Sequence, residues 1–354
     1  MSLLPTGAFV TSDTDALFYY HYHLCNLTKS VEVYNDIDQF VSSQHDHKVA
    51  CLQMPYPADP AFNTLVAELE QHCDHVLVLI SELHDKTVEF VTSNDRSKLA
   101  YFICGDLNFE VDHCTIHKFY DWFTTTVHFY RNVRPETLDV LQPYNVKPKF
   151  FDALLGRKKY HRDFAYQHLK QDLHLVTYLG SQSNFDNDQQ WRWESTGLDI
   201  TNTPEWTVER YSYYGHRMSL SQVIPLEVYN ETAYTLVAET NFSNHYSFYT
   251  EKTIKPIIAR RLFVMLGSQY QLQNLHGLGF KTFSEVIDES YDLIEPVDRR
   301  FNMAMDQIKY LETQPQEEIL AKIKPICDHN YNVMMTTDWY EDYFKVSFVR
   351  YFNQ

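Results

Sequence analysis

The sequence predicts an α/β protein built as two similar halves. Three observations carry that reading: short, near-continuous apolar runs separated by amphipathic stretches, a restart of the same alternation after a proline-rich segment, and a length of 354 residues. That length suits about two domains with substantial cores. Apolar runs without polar alternation fit parallel strands buried on both faces, and the helical periods between them supply the crossovers.

In the first half the runs are Val31–Tyr34, Val49–Leu52, Val76–Ile80 and Leu99–Cys104, with an amphipathic stretch at Phe62–Leu69. Residues 131–149 carry Pro135, Pro143 and Pro148 and no clear period, so the linker is expected there. The second half opens with a strand at Phe150–Leu155, a turn at Gly156, a helix at Tyr160–Gln171 and a strand at Leu173–Tyr178. A polar excursion, Gly180–Arg217, precedes a strand Ala233–Ala238, a helix Thr250–Arg260, a strand Leu262–Leu266 and a helix Gln269–Leu278. Phe301, Ala304, Met305, Ile308 and Leu311 recur at helical spacing, as do Leu320, Ile323 and Cys327. The expected division is 1–140, 141–333 and a C-terminal helix in 334–354. No repeat of 20–50 residues points to a solenoid or propeller.

Lys plus Arg total 30 against 47 acidic residues, a formal charge of −17, so a general basic face for nucleic acid is excluded. Aromatic residues reach 15% and glycines number only 9, which excludes low-complexity and collagen-like chains. The N-terminal MSLLPTGAFVTSDTD has neither a basic region nor an apolar core, and no apolar run approaches a membrane span. Cys25, Cys51, Cys73, Cys104, Cys114 and Cys327 form no C-x-x-C pair. Reduced, mostly buried thiols and a cytoplasmic location (host cytoplasm, if the source is viral) are the expectation.

Gly277-Leu278-Gly279 is an isolated G-x-G with Thr282 where a third glycine would fall, and no P-loop, nucleophile elbow or H-E-x-x-H occurs. The His pairs 21/23 and 45/47, and His113-Cys114 with His117, match no zinc spacing, so no metal site is expected. Asp-x-Asp triplets start at Asp13, Asp36 and Asp186; only Asp36-Ile37-Asp38 follows a strand, where paired carboxylates can hold a cation against a diphosphate.

Two segments gather chemistry at strand ends. Leu236–Asn241 ends a strand with Glu239, Thr240 and Asn241, and Tyr249-Thr250-Glu251-Lys252 opens an apolar helix. Ligands of open α/β sheets bind at such carboxyl ends. Thr250 suits an N-cap and Glu251 the first turn. Lys252 opposes the helix dipole unless an anion lies there; the alternative is a solvated Lys paired with Glu251. Phe150–Asp163 places Arg157, Lys158, Lys159, His161 and Arg162 between a strand and a helix, either as an anion site or as a solvated helix start.

The run TEKTIKPIIARRLFVMLG, Thr250–Gly267, preceded by Glu239-Thr240-Asn241, resembles the donor-binding motif of GT-B glycosyltransferases of the α1,3-fucosyltransferase type. Leu278–Phe283 and Ile287–Asp292 resemble related phage and bacterial glycosyltransferase-like proteins, and Tyr160-His161-Arg162 is similar to the turn where such enzymes place a phosphate-binding arginine. The resemblance covers about Phe150–Tyr331. It departs from the family at Thr240 and at Ala259-Arg260-Arg261, which leaves the sugar open.

The resemblance implies two Rossmann-like domains facing a central cleft: an acceptor domain in 1–140, a donor domain in 141–333, and a C-terminal helix crossing back. It also implies a metal-independent transfer from a GDP- or UDP-sugar to a glycan or other hydroxyl acceptor, with no further cofactor. Donor contacts are expected from Arg157, His161, Arg162, Glu239, Asn241, Tyr249, Thr250, Glu251 and Lys252. The general base is expected from Glu82, His84 or Asp106, at strand ends of the first half. Two alternatives stand beside this: a hydroxymethylated base of viral DNA as acceptor, served by a basic lip of Arg131, Arg134, Lys147 and Arg157–Arg162, and a non-catalytic nucleotide-sugar binding module.

Overall fold

The computed structural model describes residues 6–10, 31–54, 60–82, 85–93, 98–111, 115–169, 172–180, 211–213, 216–218 and 220–352. The chain forms two compact units: Met1–Asp121 with Ser212–His216 and Asp338–Gln354, and Trp122–Tyr211 with Arg217–Thr337. Both are α/β, with parallel sheets. Most of the polar excursion, the His21/His23 pair, Cys25, His84, the pair His113-Cys114 and the triplets at Asp13 and Asp186 lie outside the described residues.

The first unit's six-stranded sheet contains β1 (Thr6–Val10), β2 (Val31–Tyr34), β3 (His47–Gln53), β4 (His75–Ile80), β5 (Leu99–Cys104) and β6 (Thr115–Phe119). The order is β2-β1-β3-β4-β5-β6, and every pairing is parallel. The apolar runs read from the sequence are these strands; β5 is buried along its whole length, which explains why it shows no alternation. Asp36 is the N-cap of helix α1 (Ile37–Ser42), accepting from the Gln39 N–H at 2.9 Å, with Asp38 in the first turn. That triplet therefore starts a helix. His45 bonds the Tyr34 hydroxyl at 2.8 Å. In the C-terminal segment the rings of Phe344 and Phe348 lie 5.5 and 5.7 Å from Phe102.

The second unit has a four-stranded sheet of β7 (Lys149–Arg157), β8 (Leu175–Gly180), β9 (Thr232–Ala238) and β10 (Phe263–Leu266), ordered β10-β9-β7-β8. All three pairings are parallel. Counted within each sheet, both units share the order 2-1-3-4, the doubly wound arrangement. Gly156 continues β7 to Arg157 instead of turning the chain. The division falls after Asp121, ahead of residue 140, because the following segment is tied into the second unit: Gln222 donates to the Thr126 hydroxyl at 2.7 Å and the Ile224 N–H to the Tyr130 hydroxyl at 2.6 Å. The expected linker is accordingly folded, with a helical turn at Phe129–Val133 and a 3-10 helix at Pro135–Val140. Among the described residues no helix is long and apolar enough to cross a membrane.

A buried ion pair locks this sheet. Arg261, which follows helix α5 (Glu251–Ile258), donates to Asp152 of β7 at 2.8 Å, to the Thr232 and Thr235 hydroxyls of β9, and to the carbonyls of Tyr229, Thr232 and Tyr234. Its guanidinium also lies 4.3 Å from the Tyr229 ring centroid. Burial raises the Asp152 carboxyl, against the pull of Arg261 and the two threonines. Removing one partner of such a pair strands the other charge. Arg261→Met is therefore expected to cost about 3–5 kcal/mol in denaturant unfolding, whereas breaking the exposed Lys309–Asp306 pair costs at most about 1 kcal/mol. Equal effects of the two would show that Arg261 is not the lock.

Candidate functional site

The 2-1-3-4 order makes the connections leaving β7 and β9 diverge, so the crevice outside the carboxyl ends of those two neighbours is the switch point. After β7 come Lys158, Lys159 and helix α4 (Tyr160–His168); after β9 come Glu239, Thr240 and Asn241. Lys159 is the N-cap residue of α4 without a side-chain cap bond, and its ammonium reaches the Thr240 carbonyl at 2.7 Å. From the second residue of α4, His161 donates from Nε2 to the Glu239 carbonyl. The two segments are thus laced together at consecutive carbonyls. Buried Arg162 turns back on its own connection, donating from Nη1 to the Arg157 carbonyl at 3.0 Å.

The Glu239 carboxylate is fully buried and organises the start of α5. One oxygen accepts from the Thr250 N–H at 2.8 Å and the Thr253 hydroxyl at 2.7 Å; the other accepts from the Thr250 hydroxyl at 2.8 Å and the Thr240 N–H at 2.7 Å. Thr250 in turn is the N-cap, accepting from the Lys252 N–H. Of the N–H groups at this helix start, that of Thr250 has the carboxylate and that of Lys252 has the Thr250 hydroxyl. The carboxylate oxygens of Glu239, one of the expected donor contacts, are thus occupied by Thr240, Thr250 and Thr253.

Asn241 closes its own loop, donating to the Tyr246 carbonyl at 2.9 Å and accepting from the Ser243 N–H at 3.2 Å. Tyr249 is buried and its hydroxyl bonds the Gln271 carbonyl at 2.8 Å. Both of these expected donor contacts are engaged in holding the scaffold.

Lys252 is where the cations meet. Its Nζ lies 2.6 Å from Glu251 Oε1 and 3.1 Å from the hydroxyls of both Thr240 and Thr250. Lys159 bonds the same Thr240 through the carbonyl, so ammonium groups from two elements converge on one residue. Burial by itself would raise the Glu251 carboxyl, but Lys252, Lys255 and the hydrogen bond from Lys252 more than offset it and hold it below the usual range. Burial, then Arg162, with smaller effects of Lys159 and Lys252, bring His161 down to about 3, so the imidazole is neutral. Arg157 is exposed at the end of β7, and Lys158 is exposed at 4.0 Å from Asp163.

Sequence reasoning included Lys159 in the basic cluster but not among the donor contacts; its position as an N-cap residue with no capping side chain was the available signal. Arg300 was missed altogether. Buried in α7 (Val297–Glu312), it donates to the Gly267 carbonyl at 3.2 Å, to Phe242 at 3.2 Å and to Ile294 and Glu295, tying the exits of β9 and β10 together. Desolvation lowers its guanidinium to about 10.

In the first unit, Glu82 is half-buried just past β4. Asp106 follows Gly105, whose φ of 120° needs glycine, and both its oxygens are engaged: Lys118 donates at 2.7 Å and the Tyr120 hydroxyl at 3.0 Å.

No protein-family model matches the chain, and no curated protein matches it in sequence. Among solved structures, an α1,3-fucosyltransferase aligns over 93% of this chain and 91% of its own at 13% identity, with a TM-score of 0.38. A likeness that loose assigns neither fold nor activity.

The neutral, buried His161 gives a signed pH dependence. The unfolded imidazole takes up a proton below about pH 6.5, while the folded one does not until about 3, so folding stability falls as pH drops through that window. The slope from this group approaches ~1.4 kcal/mol per pH unit. His161→Gln keeps a donor for the Glu239 carbonyl and removes the titration; its stability, measured by urea unfolding at pH 6.5 and 4.5, is expected to fall less than that of the wild type. Equal losses would show that His161 titrates normally in the folded protein.

Proposed function

We propose that the protein is a glycosyltransferase that binds a nucleoside-diphosphate sugar at the β7/β9 switch point and transfers the sugar to a hydroxyl acceptor without a metal ion. The observation that carries the reading is the convergence of Lys159 and Lys252 on Thr240, in a chain whose formal charge is −17. Both ammonium groups hydrogen-bond Thr240, one at its carbonyl and one at its hydroxyl, and a diphosphate is the ligand class whose oxygens such groups bind most strongly. The motif resemblance of Thr250–Gly267 supports the same reading, with a GDP- or UDP-sugar as donor and a glycan as acceptor.

In this mechanism the ammonium groups of Lys159 and Lys252 stabilise the charge that develops on the departing nucleoside diphosphate as the glycosidic bond breaks. Arg157 and Lys158, exposed on the same connection, add to the field that attracts the donor. Arg162 and His161 are positioning residues: they hold the connection and the Glu239 carbonyl in place. Glu251 holds Lys252 and is the residue proposed for the ribose hydroxyls. The acceptor proton is taken by a general base, for which Glu82, His84 and Asp106 are the candidates.

Isothermal titration with GDP and UDP in the presence of EDTA tests the site. Binding of at least one is expected, with Lys159→Met and Lys252→Met each weakening it by roughly 1.5–3 kcal/mol, the scale of a hydrogen bond to a charged group. The lysine stems are retained as methionine, so packing is largely preserved. Absence of binding until Mn²⁺ is added, or affinity indifferent to both substitutions, would reject the metal-free lysine site.

A further inference from the structure

The opposite end of α5 carries a second feature that the donor reading does not use. Arg260, two residues past Ile258, has φ of 56°, the left-handed region, at the place where helices usually put glycine. An arginine there is strained, and nothing in its own bonding explains it. The guanidinium stacks on the Tyr331 ring at 3.7 Å, and its Nε stands 3.5 Å from Asp328. Among the described residues none of its N–H groups makes a hydrogen bond. Asp328 and Tyr331 thus hold the guanidinium by its Nε edge and its face, and among the described residues its two Nη groups make no hydrogen bond.

The fork borders a cavity of about 490 Å³ lined also by Tyr130, Arg131, Leu138, Asp139 and Met335, within the usual size range of small-molecule sites. Arg131 is anchored through Nη1 to the Met335 carbonyl at 3.1 Å. Asp139 supplies an exposed carboxylate that, among the described residues, has no hydrogen bond or ion pair. The lining thus combines planar donors, an unfilled acceptor, and an apolar wall of Leu138, Met335 and the tyrosines. The lining carries two cations, Arg131 and Arg260, and two anions, Asp139 and Glu136; Glu136 also pairs with Arg134 and Arg260 with Asp328, both outside the lining.

We infer that this cavity is an ancillary binding site for an uncharged carbohydrate. A sugar presents adjacent hydroxyls that accept from guanidinium groups and donate to carboxylates, and a C–H face that packs on apolar and aromatic surface. The balanced lining disfavours a free anion, which Asp139 and Glu136 would repel. α5 spans eight residues, which separates Arg260 from the Thr250 end by about 12 Å. The site is therefore distinct from the switch point and serves to hold a glycan, not to transform it.

Saturation-transfer NMR with lactose, maltotriose and cellotriose, with glucose 6-phosphate as the charged comparison, tests the inference on the full chain. Transfer to at least one neutral sugar is expected. Arg260→Gly removes the fork and relieves the left-handed strain, so it should weaken that binding at least tenfold while the melting temperature holds or rises. Arg131→Gln should weaken it as well, and Lys159→Met should leave it unchanged. The inference is overturned if no neutral sugar binds, if glucose 6-phosphate binds better than all of them, or if binding survives Arg260→Gly and Arg131→Gln intact.

Discussion

The Glu239 carboxylate at the end of β9 gathers the N-cap of helix α5 to the strand exit, accepting from both the N–H and the hydroxyl of Thr250. By taking the Thr250 N–H and hydroxyl, the Thr253 hydroxyl and the Thr240 N–H, it fixes the strand exit and the helix start to each other. The carboxylate is fully buried, and leaving any of these donors unmatched in the interior costs more than the bond contributes. Everything at the switch point follows from that anchor: Thr240 is held where Lys159 and Lys252 both reach it, and the Glu239 carbonyl is held where His161 donates to it.

The anchor also decides which chemistry the edge can offer. In many phosphate sites the helix terminus itself faces the anion. Here the Glu239 carboxylate takes the N-cap N–H of Thr250, and the Lys159 and Lys252 ammonium groups lie beside it on Thr240. Those groups are flexible point charges, whereas the scaffold beneath them is rigid: Arg300 bridges the exits of β9 and β10, and the buried Arg261–Asp152 pair joins α5, β7 and β9. Rigid support under mobile cations suits a site that must bind a charged donor and release a charged product.

The sequence makes the strands legible because parallel strands are buried on both faces: Val76–Ile80 and Leu99–Cys104 need no partner information to be read as β4 and β5. It also marks Lys252 as anomalous from its place in a first helical turn. What it hides are pairings across long separations. Glu239 reads as a site carboxylate until its partners at 250 and 253 are seen, and Asp152 and Arg261 lie 109 positions apart with no local pattern to join them. Gly156 reads as a turn because glycine usually punctuates, yet here the strand runs through it. Asp36-Ile37-Asp38 shows in sequence only as paired carboxylates after a strand, whereas in the structure Asp36 caps helix α1 through the Gln39 N–H.

The most direct test of this account is a crystal structure of the protein soaked with GDP or UDP. The account predicts diphosphate oxygens within hydrogen-bonding distance of the Lys159 and Lys252 ammonium groups, with the Glu239 carboxylate still bonded to Thr250. A diphosphate bound elsewhere, or one seated on the α5 N–H groups with Glu239 displaced, would contradict it.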